Sequence, residues 1–232
     1  MPPTPLQGIR KNLSGLTWNA ETKTFFATTN NPEYLYELSI EGRILQSIRL
    51  LDFEDTEGVT HLQGSFFGIV EERKGLLNIV NLSDNATELG YDVHARVALG
   101  RTAAENKGFE GLSYDPNSRT IFTMREGRPF VRFDISLDEE FRPITIQTKT
   151  LPQLKVDDVA SLVFSPDGHF WILSEDSRQI VELDTGGAVL RRFDLDTGSR
   201  KFQPEGITFD ADGLICITGE PNILAVYRVI DN

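Results

Sequence analysis

One phrase recurs along this chain of 232 residues: Glu110-Gly111-Leu112-Ser113, with a second acid, Glu126, sixteen residues beyond the first. It returns as Glu57-Gly58-Val59-Thr60 with Glu71, and as Glu205-Gly206-Ile207-Thr208 with Glu220. Weaker copies are Ser14-Gly15-Leu16-Thr17 with Asn30, and Ala160-Ser161-Leu162-Val163 with Glu175. Successive copies begin 43 to 53 residues apart. A period in this range marks a propeller or a solenoid, whose units bury their apolar faces only against one another.

Within each unit, two short apolar or alternating strands flank a turn. Unit three reads Leu112 to Tyr114, Asp115-Pro116-Asn117, then Thr120 to Met124; unit five reads Ile207 to Phe209, Asp210-Ala211-Asp212-Gly213, then Leu214 to Thr218. Asp-Gly and Asp-Pro-Asn supply the backbone angles that a reversal needs. A third strand follows in every unit and a fourth in units one to four, while unit five ends without one. The unpartnered Leu6 to Arg10 is expected to complete that last blade and so hide a sheet edge. The fold class expected is all-β: a five-bladed β-propeller of four-stranded blades, closed by the N-terminal strand, with residues 1–232 as one domain.

The formal charge of −12 and pI near 4.7 argue against DNA, RNA or anionic lipid as partners. The lone cysteine, Cys216, excludes an intrachain disulfide and lies in the apolar run Leu214 to Ile217, as a buried thiol would. His61, His94 and His169 lack metal-ligand spacing. The start, Met1-Pro2-Pro3-Thr4-Pro5, has neither a basic segment nor an apolar one, so it reads as a native start or as a chain trimmed of an export segment.

In a propeller the first strand of each blade lines the channel and the second returns beside it. A hairpin count then pairs Glu57 with Glu71, Glu110 with Glu126, Glu205 with Glu220, Ala160 with Glu175 and Ser14 with Asn30. Closure of the ring gathers these seven acids at one mouth. Like charges so close raise one another's pKa unless protons, basic residues or a cation compensate. Arg73, Lys107, Arg125 and Arg128 are neighbours in sequence. A hard cation with oxygen ligands, Ca2+, fits the donor set, with Asn30 as a neutral ligand and Asp55 and Asp158 as further candidates. Two other readings stand beside it: a structural ring whose acids accept N–H groups from the next blade, and acid–base chemistry without metal. The recurrent glycines read as structural, because the inner end of a blade has little room for a side chain.

With the units laid out, the chain resembles the SdiA-regulated domain family, the YjiK-like proteins. The resemblance rests on Leu13-Ser14-Gly15-Leu16-Thr17-Trp18, Asp55-Thr56-Glu57-Gly58-Val59, Glu71-Glu72-Arg73, Asn106-Lys107-Gly108-Phe109-Glu110-Gly111-Leu112 and Gln203-Pro204-Glu205-Gly206-Ile207. It implies a β-propeller, a periplasmic or membrane-anchored location, and calcium as a ligand. Ala160 departs from the glutamate pattern.

Functionally, these observations lead to a Ca2+-binding propeller whose acidic mouth takes a small polar or anionic ligand. The metal ligands expected are Glu57, Glu71, Glu110, Glu126, Glu175, Glu205, Glu220 and Asn30. One alternative is a Ca2+-dependent hydrolase of phosphoesters or lactones, with Glu126 activating water. Another is a non-catalytic scaffold that binds a protein partner. A monomer is expected. No Gly-x-Ser-x-Gly elbow or phosphate-binding loop is present.

Overall fold

The computed structural model describes residues 3–100, 108–195 and 202–229. Each repeat folds as an antiparallel hairpin extended outward by further strands. Blade one comprises Leu13–Asn19, Thr24–Thr29, Tyr34–Leu38 and Ile44–Leu50, with the short Glu88–Leu89 lying parallel on its outer edge. Blade two is Thr56–Gln63, Phe66–Glu71, Leu76–Asn81 and Ala95–Ala98. Blade three is Phe109–Asp115, Thr120–Arg125, Val131–Leu137 and Pro143–Thr150; blade four is Ser161–Phe164, Phe170–Ser174, Gln179–Leu183 and Val189–Asp194. Blade five is Gln203–Phe209, Ile215–Glu220, Ile223–Tyr227 and, from the other end of the chain, Thr4–Pro5. This is the five-bladed β-propeller that the repeats imply. No helix among the described residues is long and apolar enough to cross a membrane.

Closure uses residues slightly earlier than Leu6 to Arg10. Thr4 pairs with Leu224 and Pro5 with Ile223, and the Leu6 N–H extends the ladder to the Asn222 carbonyl at 2.8 Å. Gly8, at φ 102°, then turns the chain inward, and Leu6 and Ile9 are buried between blades five and one.

Hairpin turns follow from the local sequence. Asn19, Asp115 and Asp210 each accept the N–H two residues on, at 2.9, 3.0 and 2.9 Å, the side-chain-to-backbone bond that makes these residue types turn formers.

Burial falls from the axis outward. Every residue of Thr24–Thr29 and of Phe170–Ser174 is buried, whereas Val189–Asp194 on the outer edge of blade four is half-buried or exposed throughout. The core is five clusters, one per seam between neighbouring blades. Phe26 meets Phe67 across seam one–two (centroids 4.6 Å), and Phe122 meets Phe170 across seam three–four (4.8 Å). Each side chain so buried contributes about 1.5–3 kcal/mol.

Two devices knit the inner strands into a ring. The residue two beyond the recurrent glycine carries a hydroxyl that accepts an N–H from the next blade. Thr208 takes that of Trp18 at 3.2 Å, Thr17 that of His61 at 3.2 Å, and Ser113 that of Phe164 at 2.9 Å. The glycines themselves abut the next inner strand. A Cβ on Gly15 would lie 2.7 Å from the Gly58 Cα, one on Gly58 would lie 2.8 Å from the Gly111 carbonyl carbon, and one on Gly206 would lie 2.5 Å from the Ser14 carbonyl oxygen. No side chain fits at these approaches.

Candidate cation site at the channel mouth

A β-bulge accompanies each glutamate of the recurrent phrase. Thr56 pairs with Glu71 and Gly58 with Val70, so Glu57 is the extra residue; Pro204 pairs with Gly219 and Gly206 with Thr218, so Glu205 is. In blade three the register shifts between Glu110, paired with Met124, and Ser113, and Gly111 takes a φ of 61°. Bulges bend a strand and re-aim a side chain. Here they direct the three glutamates into the central opening.

The opening is a cavity of ≈380 Å3 lined by Asn12, Leu13, Ser14 and Asn30 together with Glu57, Glu72, Glu110, Glu126, Glu205 and Glu220. Five of the seven expected acids are thus gathered here and a sixth stands next to it. Glu57, Glu110, Glu126, Glu205 and Glu220 line the cavity, as does Asn30. Glu175 stands just outside, its Oε1 accepting Gln203 Nε2 at 2.8 Å.

Glu71 is the misplacement. It is fully buried away from the mouth and accepts the Glu54 N–H at 2.8 Å, Asn78 Nδ2 at 2.9 Å and the Tyr91 hydroxyl at 2.7 Å, with Lys74 Nζ at 3.0 Å. Its neighbour Glu72 takes the ring position. A hairpin count that omits the bulge lands one residue short. The spacing carried the signal: Glu72 lies 15 residues after Glu57, as Glu220 does after Glu205, whereas Glu71 lies 14 after.

Acids at the ends of second strands tie each blade to the next. Glu72 Oε1 accepts the Gly108 N–H at 2.8 Å, and Glu220 Oε1 accepts N–H groups from Asn12 and Leu13, the latter at 3.3 Å. Asn30 does the same with reversed polarity, its Nδ2 donating to Glu57 Oε1. Glu110 and Glu205 face the centre instead. Burial is the main cause that pushes both carboxyls well above the ordinary carboxylate range, followed by Glu57 and Glu72 for Glu110, and by Glu175 and Glu57 for Glu205. Glu57 and Glu72 are likewise raised by burial, each to about 7, with Asp55 adding to both.

Two sets of carboxylates converge to ligand distance. One oxygen from each of Asp55, Glu57 and Glu72 lies within 4.8 Å of the others, and the same holds for Glu72, Glu110 and Glu126, so Glu72 belongs to both sets. Asp55 enters through a left-handed backbone at φ 58°; its buried Oδ2 meets Arg73 Nε at 2.9 Å in an ion pair without a directed hydrogen bond. Arg128 is turned away to the Val156 carbonyl at 2.7 Å, Arg125 pairs with Phe109 in its hairpin, and Lys107 lies outside the described residues. Asp158 caps the turn after blade four's second strand, taking the N–H groups of Glu175 and Asp176 at 3.0 Å each.

The family model for SdiA-regulated proteins matches residues 1–228. The chain belongs to the SdiA-regulated family. Among solved structures, this SdiA-regulated protein resembles a glutaminyl cyclase from Myxococcus xanthus, with TM-score 0.68 and 20% identity over 100% of this chain and 96% of that one. It also resembles a calcium-binding protein, regucalcin, from Agrobacterium tumefaciens (TM-score 0.58, 15% identity, 93% and 83% covered) and a luciferin-regenerating enzyme (0.55, 12%, 98% and 96%). Likeness at these identities is of fold, and the site has to speak for its own chemistry.

A second cluster escaped the sequence. Asp167, His169 and Glu182 of blade four also approach within 4.8 Å. There the buried Glu182 is held by His169 Nδ1 at 2.7 Å on one oxygen and by Arg191 Nε on the other. Both oxygens of Glu182 are thus already taken within blade four. His169 and Glu182 are thirteen residues apart, and only the pairing of Phe170–Ser174 with Gln179–Leu183 brings them together.

Proposed function

We propose that the SdiA-regulated propeller binds a divalent cation, Ca2+, at its acidic mouth and presents it to a small polar ligand. The observation that carries this reading is the pair of oxygen sets sharing Glu72. Their donors are carboxylates alone, which suit a hard cation, and the irregular spread of six acids around one cavity suits an ion that accepts six to eight oxygens in loose geometry. Asp55, Glu57, Glu72, Glu110 and Glu126 would hold the ion, and Glu205 and Glu220 would face whatever completes its coordination. When bound, the ion supplies positive charge that polarises an oxygen of the ligand. The residues around it orient that ligand and keep bulk water from one side. Binding without turnover is the reading adopted. An extracytoplasmic location, which the family resemblance implies, would supply Ca2+ at the concentrations that extracellular sites use.

The experiment is metal analysis of protein purified without chelator, followed by melting curves with EDTA and with Ca2+. A midpoint raised by Ca2+ through mass action supports the reading. No bound metal, with midpoints equal in EDTA and Ca2+, rejects it in favour of a scaffold whose acids act only as blade ties. That alternative has an observation of its own in the interblade bonds of Glu72 and Glu220.

A further inference from the structure

The largest cavity among those described, ≈650 Å3, is not at the acidic mouth. It opens between blades five and one at the opposite ends of the inner strands, where Trp18 follows Ser14 by four residues, about 13 Å along a strand. Its walls are mainly apolar, from Trp18, Phe25, Leu214, Cys216, Leu224 and Val226.

The repeat explains why the space exists at this seam. The residue opposite the hydroxyl position is Phe26 in blade one, Phe122 in blade three and Trp171 in blade four. Each projects into the following seam and meets an aromatic ring there: Phe67, Phe170 and Phe209. In blade five the same position is Cys216, opposite Thr208. Blade two has Gly68, but the Cγ2 of Thr60 and the Cδ1 atoms of Ile121 and Leu77 stand 3.2, 3.4 and 3.6 Å from where its Cβ would be, so that seam is closed. Seam five–one lacks the aromatic, and the cavity occupies its place. Its volume is that of a small-ligand site, lined by apolar walls with a few polar groups.

Charge at the rim selects among hydrophobic ligands. Glu41, Asp210 and Asp212 face one cation of the lining, Lys23. The lining hydroxyls of Ser39 and Thr24 are engaged with Glu41 and Glu37. Glu41 is also paired with Arg43 at 3.2 Å, but the acids of the lining still outnumber its one cation, so carboxylates and the Trp18 ring favour a positive group. We propose that this seam is a second binding site, for a compact hydrophobic amine whose apolar body fills the space left by Cys216 and whose ammonium rests among the rim carboxylates.

The test titrates the full chain with phenethylamine, and in parallel with phenylacetate, its anionic counterpart, following heat and Trp18 emission. Saturable binding of the amine, at least about ten-fold tighter than the acid, is expected. Cys216→Phe restores the repeat's aromatic and is expected to abolish that binding while leaving the response to Ca2+ unchanged. Should this variant fail to fold, Ala211→Trp, at an exposed turn position on the rim, obstructs entry instead. Equal affinity for the acid, absence of saturable amine binding, or amine binding unaltered by either folded variant overturns the proposal. The Ca2+ reading stands or falls separately, since its residues lie at the other end of the channel.

Discussion

Adjacent residues in blade two have opposite fates. Glu71 closes a buried network with Lys74, Asn78 and Tyr91, and Glu72 reaches the mouth. Glu71→Ala would take their shared acceptor from four donors, the Glu54 N–H among them, and is expected to lower stability by roughly 3 kcal/mol while leaving Ca2+ affinity alone. Glu72→Gln is expected to reverse that pattern, weakening Ca2+ at least ten-fold at little cost in stability, since the amide oxygen still accepts the Gly108 N–H. Denaturant melts and calorimetric titration of both variants check this, and interchange of the two effects would show that Glu71 is the ring residue after all. The raised carboxyls also give the ring a pH signature. Glu57 and Glu72 have folded pKa values of about 7 against an ordinary 4.5. Their contribution to stability is therefore fully present below about 4.5 and is lost as pH rises through about 7. In EDTA the midpoint of unfolding should fall between pH 5 and pH 8, and Ca2+ should rescue it more at pH 8 than at pH 5. Glu110→Gln, which removes a buried ionisable carboxyl, should flatten the fall in EDTA and weaken Ca2+.

At the scale of strands, the fold was legible because turn chemistry and apolar runs recur in step. Asp115-Pro116-Asn117 and Asp210 to Gly213 mark their hairpins unambiguously, and Ala27, Ile69 and Ile172 sit in runs that no helix period explains. The bulges were not legible. Nothing in Thr56-Glu57-Gly58 distinguishes an extra residue from a paired one, and a one-residue slip sends a side chain to the other face. Longer-range contacts were hidden for the same reason: that Thr17 meets His61 depends on how neighbouring blades stack, and that Asp167, His169 and Glu182 converge depends on strand register within blade four, rather than on local pattern. The recurrent glycine was read correctly as a space constraint. Gly58→Ala is expected to cost about 3 kcal/mol or more, because the added methyl meets backbone that cannot move without opening the ring, whereas Ser65→Ala, on a hairpin surface, should cost under about 0.5 kcal/mol. Comparable losses for the two would mean that the inner strands are less tightly apposed than described.

For the whole molecule, one short segment holds the circle shut. Thr4 and Pro5 add only a few ladder bonds, yet Leu6 and Ile9 follow them into the seam between the last blade and the first. Deleting residues 1–9 should lower the melting temperature by more than the roughly 4 °C that about 1 kcal/mol represents in a chain of this size, and hydrogen exchange should quicken first in Ile223–Tyr227. Uniform quickening across all five blades would show instead that the ring opens as a unit. The same segment sets an order on biosynthesis. Synthesised more than two hundred residues before its partner, it waits until Ile223–Tyr227 has been made. Four sheets can form while translation proceeds, but the clasp joining start to finish is necessarily a late event.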